Sequence, residues 1–430
     1  MINILNARFK SYFENNQQEF HFETISPNAF KEDSFYTRLL KKYKLKPAER
    51  LVLVLALIPH IQPHILDIFF TKNTQYDRGF TEFGGIKGNY FGGFLPTGET
   101  AMFILAANNL QKRRQYLYIF EEDFCFAREN ILWLQNPNST EPFLSGVLTL
   151  AEDIMDNLCS GKTRKPRFGP DFPAGRINTQ LEWKDLILEN STKDHINEIR
   201  AWIKHGHTLL HEWGLKKRIK PGYKSLFYGP SGTGKTLTAS LIGKEMHRDV
   251  YRIDLSMVVS KYIGETEKNL KKVFDKAANK DWILFFDEAD ALFGKRTNVS
   301  DAHDRYANQE VSYLLQKIED HPGLVILASN LKSNIDDAFT RRFQSIIHFP
   351  LPKAPERYQI WKRAFSKKSE LEKSIDLRQI ANKYDFSGGS IVNIVRYASL
   401  MALYNNTSKI QNNWIMSGIR KEYQKEGKTF

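Results

Sequence analysis

The chain has 430 residues, of which 41% are apolar and 26% charged, and its formal net charge is +13. This is the composition of an ordinary soluble protein with buried cores, and the length suits about three structural units. The two cysteines, Cys125 and Cys159, lie far apart in no metal-type spacing, which excludes a disulfide framework and fits a reducing, cytoplasmic setting.

The N-terminal stretch MINILNARFKSYFENNQQEF lacks a continuous apolar core, so it is not a signal peptide. AERLVLVLALI (48–58) and TAMFILAANNL (100–110) are apolar segments of helical length. The first is too short to cross a bilayer, and no membrane insertion is expected. YLYIF (116–120) and ILWL (131–134) are candidate strands. Between the apolar segments, TEFGGIKGNYFGGFLPTGET (81–100) is rich in glycine. No strand precedes it and PTGET carries no lysine, so it is an ordered structural loop rather than a phosphate loop. EED (121–123) reads as an acidic turn.

SGKTRKPRFGPDFPAGRINTQ (160–180) combines basic residues, glycine and proline, and it marks the main domain boundary. The expected division is an N-terminal region over 1–175, an α/β subdomain over 176–352 and a helical lid over 353–430. After the boundary, SLFY (225–228), VYRIDLS (250–256), WILFFDEAD (282–290), LVILASN (324–330) and SIIHFP (345–350) are strand candidates alternating with helices. That alternation predicts a parallel sheet covered on both faces. From residue 353 the strand signals stop, and PERYQIWKRAF (355–365), LRQIANKY (377–384) and GSIVNIVRYASLMALYNN (389–406) read as lid helices. Positive charge is spread over KKYK (41–44), KRR (112–114), KTRKPR (162–167) and KKRIK (216–220). Spread charge is a solvated surface first, so no nucleic-acid partner is expected.

The chemistry concentrates at 229–236, GPSGTGKT. Gly229, Pro230, Ser231, Gly232, Thr233, Gly234, Lys235 and Thr236, followed by Leu237, fit the phosphate-cradling pattern between a strand and a helix. Glycines let backbone N–H groups close on phosphate, the lysine reaches the terminal phosphates, and Thr236 holds Mg²⁺. The bound cofactors are therefore ATP and Mg²⁺. Asp287, at the end of the apolar run WILFF, belongs on the ion; Glu288 beside it suits a general base. His205, His207 and His211 offer one helical i, i+4 pair but no third ligand, and they read as solvated or partly packed side chains.

GPSGTGKT, ILFFDEAD, ILASN and IDDAFTRRF, in this order and spacing, resemble the AAA ATPases over roughly residues 180–400. The resemblance implies a P-loop NTPase sheet of strand order 5-1-4-3-2 with a C-terminal helical lid. It also implies self-assembly into a ring, in that family a hexamer, with ATP at subunit interfaces. It makes Asn330 the residue that positions the lytic water, and Arg341 and Arg342 the arginine fingers. Lys261, Tyr262, Ile263 and Gly264 match the pore loop of unfoldases in that family. Relatives that load DNA clamps carry a lid-helix arginine where this chain has Ser387-Gly388-Gly389-Ser390, and protein remodellers carry a small-residue step there. The stretch 45–110 resembles the N-terminal part of AAA ATPases encoded with phage-tail-like contractile injection systems, which implies an α+β winged-helix-like module and a contractile-tail component as protein substrate. The alternatives are a general protein unfoldase or disaggregase and an ATP-gated DNA-binding module.

Overall fold

A computed structural model describes residues 1–14, 34–88, 90–135, 140–162, 164–166, 168–169, 172–255, 265–278, 280–289, 302–330, 340–425 and 427; at 265–266 and 302–310 it describes the backbone alone. Contacts divide the chain into two units, Met1–Lys165 and Pro166–Phe430. The residues from Phe172 onward, read as linker, therefore belong to the second unit. Phe172 and Ala174 are buried in its core, and Gly175–Ile177 forms an edge strand.

The first unit contains α1 (Ile2–Phe13), α2 (Phe35–Tyr43), α3 (Pro47–Ile61), α4 (Gly98–Ala106), the hairpin β1 (Leu132–Gln135) with β2 (Val147–Leu150), and α5 (Glu152–Ser160). Proline in its first turn starts α3, and the Glu49 carboxylate accepts from the Lys46 N–H at 2.6 Å. Val52, Leu53 and Leu55 are fully buried. Phe9, Phe69, Phe83 and Phe103 pack edge-on or tilted around them, as aromatic quadrupoles prefer. In the glycine-rich loop, Gly85 sits at φ +78°, and a Cβ there would lie 2.0 Å from the Phe94 ring. YLYIF is not a strand. Leu117–Phe120 forms a 3₁₀ turn directly after the helix Leu110–Tyr116, because burying Ile119 and Phe120 while Tyr118 bonds Glu49 needs helical spacing. Residues 121–124 form a turn, closed by Phe124 N–H to Glu121 O at 3.1 Å. Among the described residues no single helix is long and apolar enough to cross a membrane, and the segment Pro63–Phe70 bends 104° away from α3.

The second unit contains β3 (Gly175–Ile177), α6 (Asn190–His207), β4 (Tyr223–Tyr228), α7 (Lys235–Glu245), β5 (Val250–Asp254), α8 (Glu265–Ala277), β6 (Ile283–Asp287), α9 (Ala302–Asp320), β7 (Leu324–Ser329) and β8 (Ser345–His348). The sheet runs β8-β4-β7-β6-β5-β3. Counted along the chain from β4, its parallel strands stand 5-1-4-3-2, and β3 adds an antiparallel edge that the sequence pattern did not reveal. Successive strand residues face opposite sides. Tyr251, Ile253, Leu284, Phe286, Val325 and Leu327 pack with α8 and α9, whereas Val250, Ile283, Phe285 and Ile326 pack with α6 and α7. At the amino end of the sheet the buried Lys224 ammonium donates to His321 O at 2.5 Å, and burial lowers its pKa to about 8. Four further helices form the lid: α10 (Ala354–Ala364), α11 (Leu377–Lys383), α12 (Gly388–Tyr404) and α13 (Asn412–Lys425). The last has no counterpart in the sequence reading; it completes the lid core by burying Ile415 and Ile419 against Ile394 and Trp361.

Candidate nucleotide-binding site

Strand β4 is flanked by β7 on one side and β8 on the other, so the loop after it opens at the point where the sheet order reverses. Ligands of such sheets bind outside the carboxyl ends of the strands at that point. A cavity of about 710 Å³ lies there, lined by Ser231, Gly232, Thr233, Gly234, Lys235, Thr236, Leu237, Asp287, Glu288 and Asn330 among others. Gly229 and Pro230 stand behind the wall, where their carbonyls accept from the Lys235 ammonium at 2.6 and 3.0 Å. The same ammonium donates to Asn330 Oδ1 at 3.2 Å, linking the loop to the end of β7.

The loop glycines are dictated by space. Gly229 has φ +145°, and a Cβ there would lie 2.1 Å from Phe349 O. Gly232 has φ +76°, its carbonyl accepts from Gly389 N–H at 2.9 Å, and a Cβ on it would strike Ser387 Oγ at 2.5 Å. Ser387 caps α12, and its Oγ accepts from Ser390 N–H. The Ser-Gly-Gly-Ser step thus lets the lid backbone touch the loop. Lys235 opens α7, so the loop's N–H groups and the helix dipole favour an anion at the cavity.

Across from the loop, β6 ends at Asp287. Its Oδ1 accepts from Glu288 N–H at 3.1 Å, and its Oδ2 lies 3.0 Å from Arg252 Nε. Glu288 is exposed and holds φ +54°, a left-handed conformation uncommon for a side-chain-bearing residue and one concentrated at functional sites. Ala289 N–H returns to Ala328 O at 2.9 Å and fixes that turn. The far end of the cavity is apolar: Leu186, Ile187, Leu188, Ile360 and Val392 line it. The segment WKDLIL is therefore part of the wall, held by Arg200 stacked on Trp183 at 4.1 Å. Arg252, Ile360 and Val392 escaped the sequence reading, although an arginine inside the apolar strand VYRID was a signal.

Arg341 and Arg342 do not line this cavity. Arg342 pairs with Glu319 at 2.5 Å, while the exposed Arg341 has no side-chain partner among the described residues. Lys261, Tyr262, Ile263 and Gly264 lie outside the described residues. His207 and His211 stack on each other at 4.5 Å, and no group of three or more His, Cys, Asp or Glu side chains that could hold a metal ion occurs among the described residues.

A model of the family described as "ATPase family associated with various cellular activities (AAA)" matches residues 225–351. The second unit contains an AAA ATPase domain. Among curated proteins, the peroxisomal ATPase PEX6 of Komagataella pastoris is 31% identical over 265 residues, which is 59% of this chain and 22% of that protein. A katanin p60 ATPase-containing relative from Rattus norvegicus is 32% identical over 262 residues, 57% of this chain and 52% of that protein. The peroxisomal ATPase pex6 of Schizosaccharomyces pombe is 32% identical over 277 residues, 62% of this chain and 28% of that protein. The chain thus spans between a fifth and about half of the length of these relatives.

Proposed function

We propose that the chain is an ATP-hydrolysing ring motor that remodels protein assemblies. The observation that carries this reading is the convergence of the loop 231–237 with Asp287, Glu288 and Asn330 on one cavity of nucleotide size. The loop N–H groups and Lys235 bind phosphate, and the apolar end takes the base. Thr236 and Asp287 line the same cavity and offer the hard oxygen donors that magnesium prefers, so they fit as its protein ligands. Bound Mg²⁺ neutralises charge on the phosphate oxygens. Glu288 takes the proton of the attacking water, and Asn330 orients that water. Arg341 and Arg342, outside their own cavity, serve the neighbour's site in a ring, where they offset charge that grows in the transition state.

The test pairs two substitutions. Lys235→Ala should weaken nucleotide binding at least about a hundredfold, since it removes a charge-assisted phosphate contact. Glu288→Gln should keep binding and slow turnover by roughly 10²–10⁴. Unimpaired turnover in Glu288→Gln removes it from the base role. For the ring, specific activity should rise with protein concentration; a monomer of constant activity excludes trans fingers.

The finer reading is a cytoplasmic motor acting on a component of a contractile tail-like assembly, supported by the resemblance of 45–110. In support of a winged-helix-like first unit, α4 and the helix Leu110–Tyr116 precede the hairpin β1–β2, and Thr97 bridges Val147 in antiparallel fashion. Neighbouring sheath, tube and baseplate genes would support this substrate class, and their absence would favour a general unfoldase. Tyr262 on a pore loop predicts that Tyr262→Ala retains ATP hydrolysis and loses remodelling. The DNA-binding alternative draws on Lys112 and Arg114 in the helix Leu110–Tyr116. It requires duplex binding that weakens steeply with salt.

A further inference from the structure

One cation of the cavity has no part in this mechanism. Arg252 lines the cavity together with Lys235, Asp287 and Glu288. Register explains its place. Arg252 pairs with Phe285, two residues before Asp287, and Asp254 pairs with Asp287. In a parallel ladder, paired residues share a face. Arg252, Asp254 and Asp287 therefore point to the α7 side, the side on which Lys235 begins its helix. Two carboxylates side by side at a strand end repel, and Arg252 offsets that repulsion.

We propose that Arg252 is a positioning residue that competes with the divalent cation for Asp287 and so sets how much Mg²⁺ the site requires. The proposal rests on the assignment of Asp287 to the ion. Both Asp287 oxygens are engaged: Oδ1 by the Glu288 N–H at 3.1 Å and Oδ2 by Arg252 at 3.0 Å. The first partner is backbone and fixed. The second ends a flexible stem with 42% of its side chain exposed. Its Nε makes no hydrogen bond, so the pair is held by charge alone. A cation reaching Asp287 displaces or shares Arg252 and leaves the backbone contact in place. Such a pair is worth little, which suits a contact that must yield.

The experiment titrates Mg²⁺ into full-length protein with a fluorescent ATP analogue at fixed concentration, starting from EDTA, and reads the midpoint of the Mg²⁺-dependent gain in binding. Arg252→Gln should lower the midpoint by roughly three- to fivefold, in keeping with a partly exposed ion pair. Arg252→Lys, which keeps the charge, should stay near the wild-type midpoint. If Arg252→Gln melts early, Arg252→Met, which retains the apolar stem, takes its place with the same expected shift. An unchanged or raised midpoint in a normally folded variant overturns the proposal. Asp287→Asn separates the two levels: it should abolish the Mg²⁺ response. A normal response in Asp287→Asn overturns the Asp287 assignment and the proposal with it. A lost response there, with an unchanged Arg252→Gln midpoint, overturns the proposal alone.

Discussion

In the first unit the buried polar side chains close the ends of the backbone. Arg8 donates to Ile104 O at 2.8 Å and Leu105 O at 3.2 Å, the last carbonyls of α4. Thr97 and Thr100 cap the start of the same helix, and Asp156 takes the Arg164 N–H at 3.0 Å. In the second unit Lys235 is as deeply buried as Arg8, yet it stands with exposed Glu288 and Asn330 on an open cavity. Burial of a polar group therefore does not mark a site by itself. A buried donor whose partners are helix-end carbonyls serves the fold. A donor that shares a cavity wall with carboxylates at strand ends serves a ligand.

The largest effect expected from this contrast lies outside the cavity. Arg341 is exposed with no side-chain partner among the described residues, so its charge is available to a neighbour. Arg341→Ala should lower hydrolysis by roughly 10³ or more, as loss of an arginine finger does, with nucleotide affinity within a few-fold of wild type. A parallel loss of affinity would move it into its own protomer's site. Arg8→Met makes the opposite test. It should cost about 2–4 kcal/mol of stability, because two buried carbonyls lose charge-assisted bonds. Nucleotide affinity, read by titration, should not change; if it does, the two kinds of polar group are not separable.

A smaller effect appears on acidification. Burial, with the Lys224 charge adding to it, lowers the His321 pKa from 6.5 to about 4. The unfolded chain then takes up a proton that the folded chain refuses. Stability should fall as pH drops from about 6.5 and be fully lost, as far as this residue contributes, below about 4. The linkage amounts to on the order of 3 kcal/mol. Chemical denaturation across that range should show a flatter profile in His321→Leu, and an identical slope would assign the loss elsewhere. The smallest effect belongs to Glu319→Gln, which releases Arg342 from a partly exposed pair. Stability should change by less than about 1 kcal/mol. If Arg342 is the working finger and Glu319 merely parks it, hydrolysis should rise at low protein concentration; unchanged hydrolysis leaves Arg341 as the sole finger.

The sequence alone determined the parts whose chemistry is local. The loop pattern fixes backbone conformations, with glycine demanded at Gly229 and Gly232 by positive φ and by the approach of Phe349 and Ser387. Apolar runs of five or six residues fixed the central strands, since a strand buried on both faces needs no alternation. Tertiary structure decided what depends on neighbours distant in the chain. It made YLYIF a 3₁₀ turn, because Glu49 and the first unit's core lie on one side of it. It drew residues 172–177 out of an expected linker, because β5 had an unpaired edge. It brought Leu186, Ile360 and Val392 to one apolar wall from three separate segments. It also set Arg252 against Asp287, a contact that depends on strand register, and register is fixed by cross-strand packing rather than by either strand's own residues.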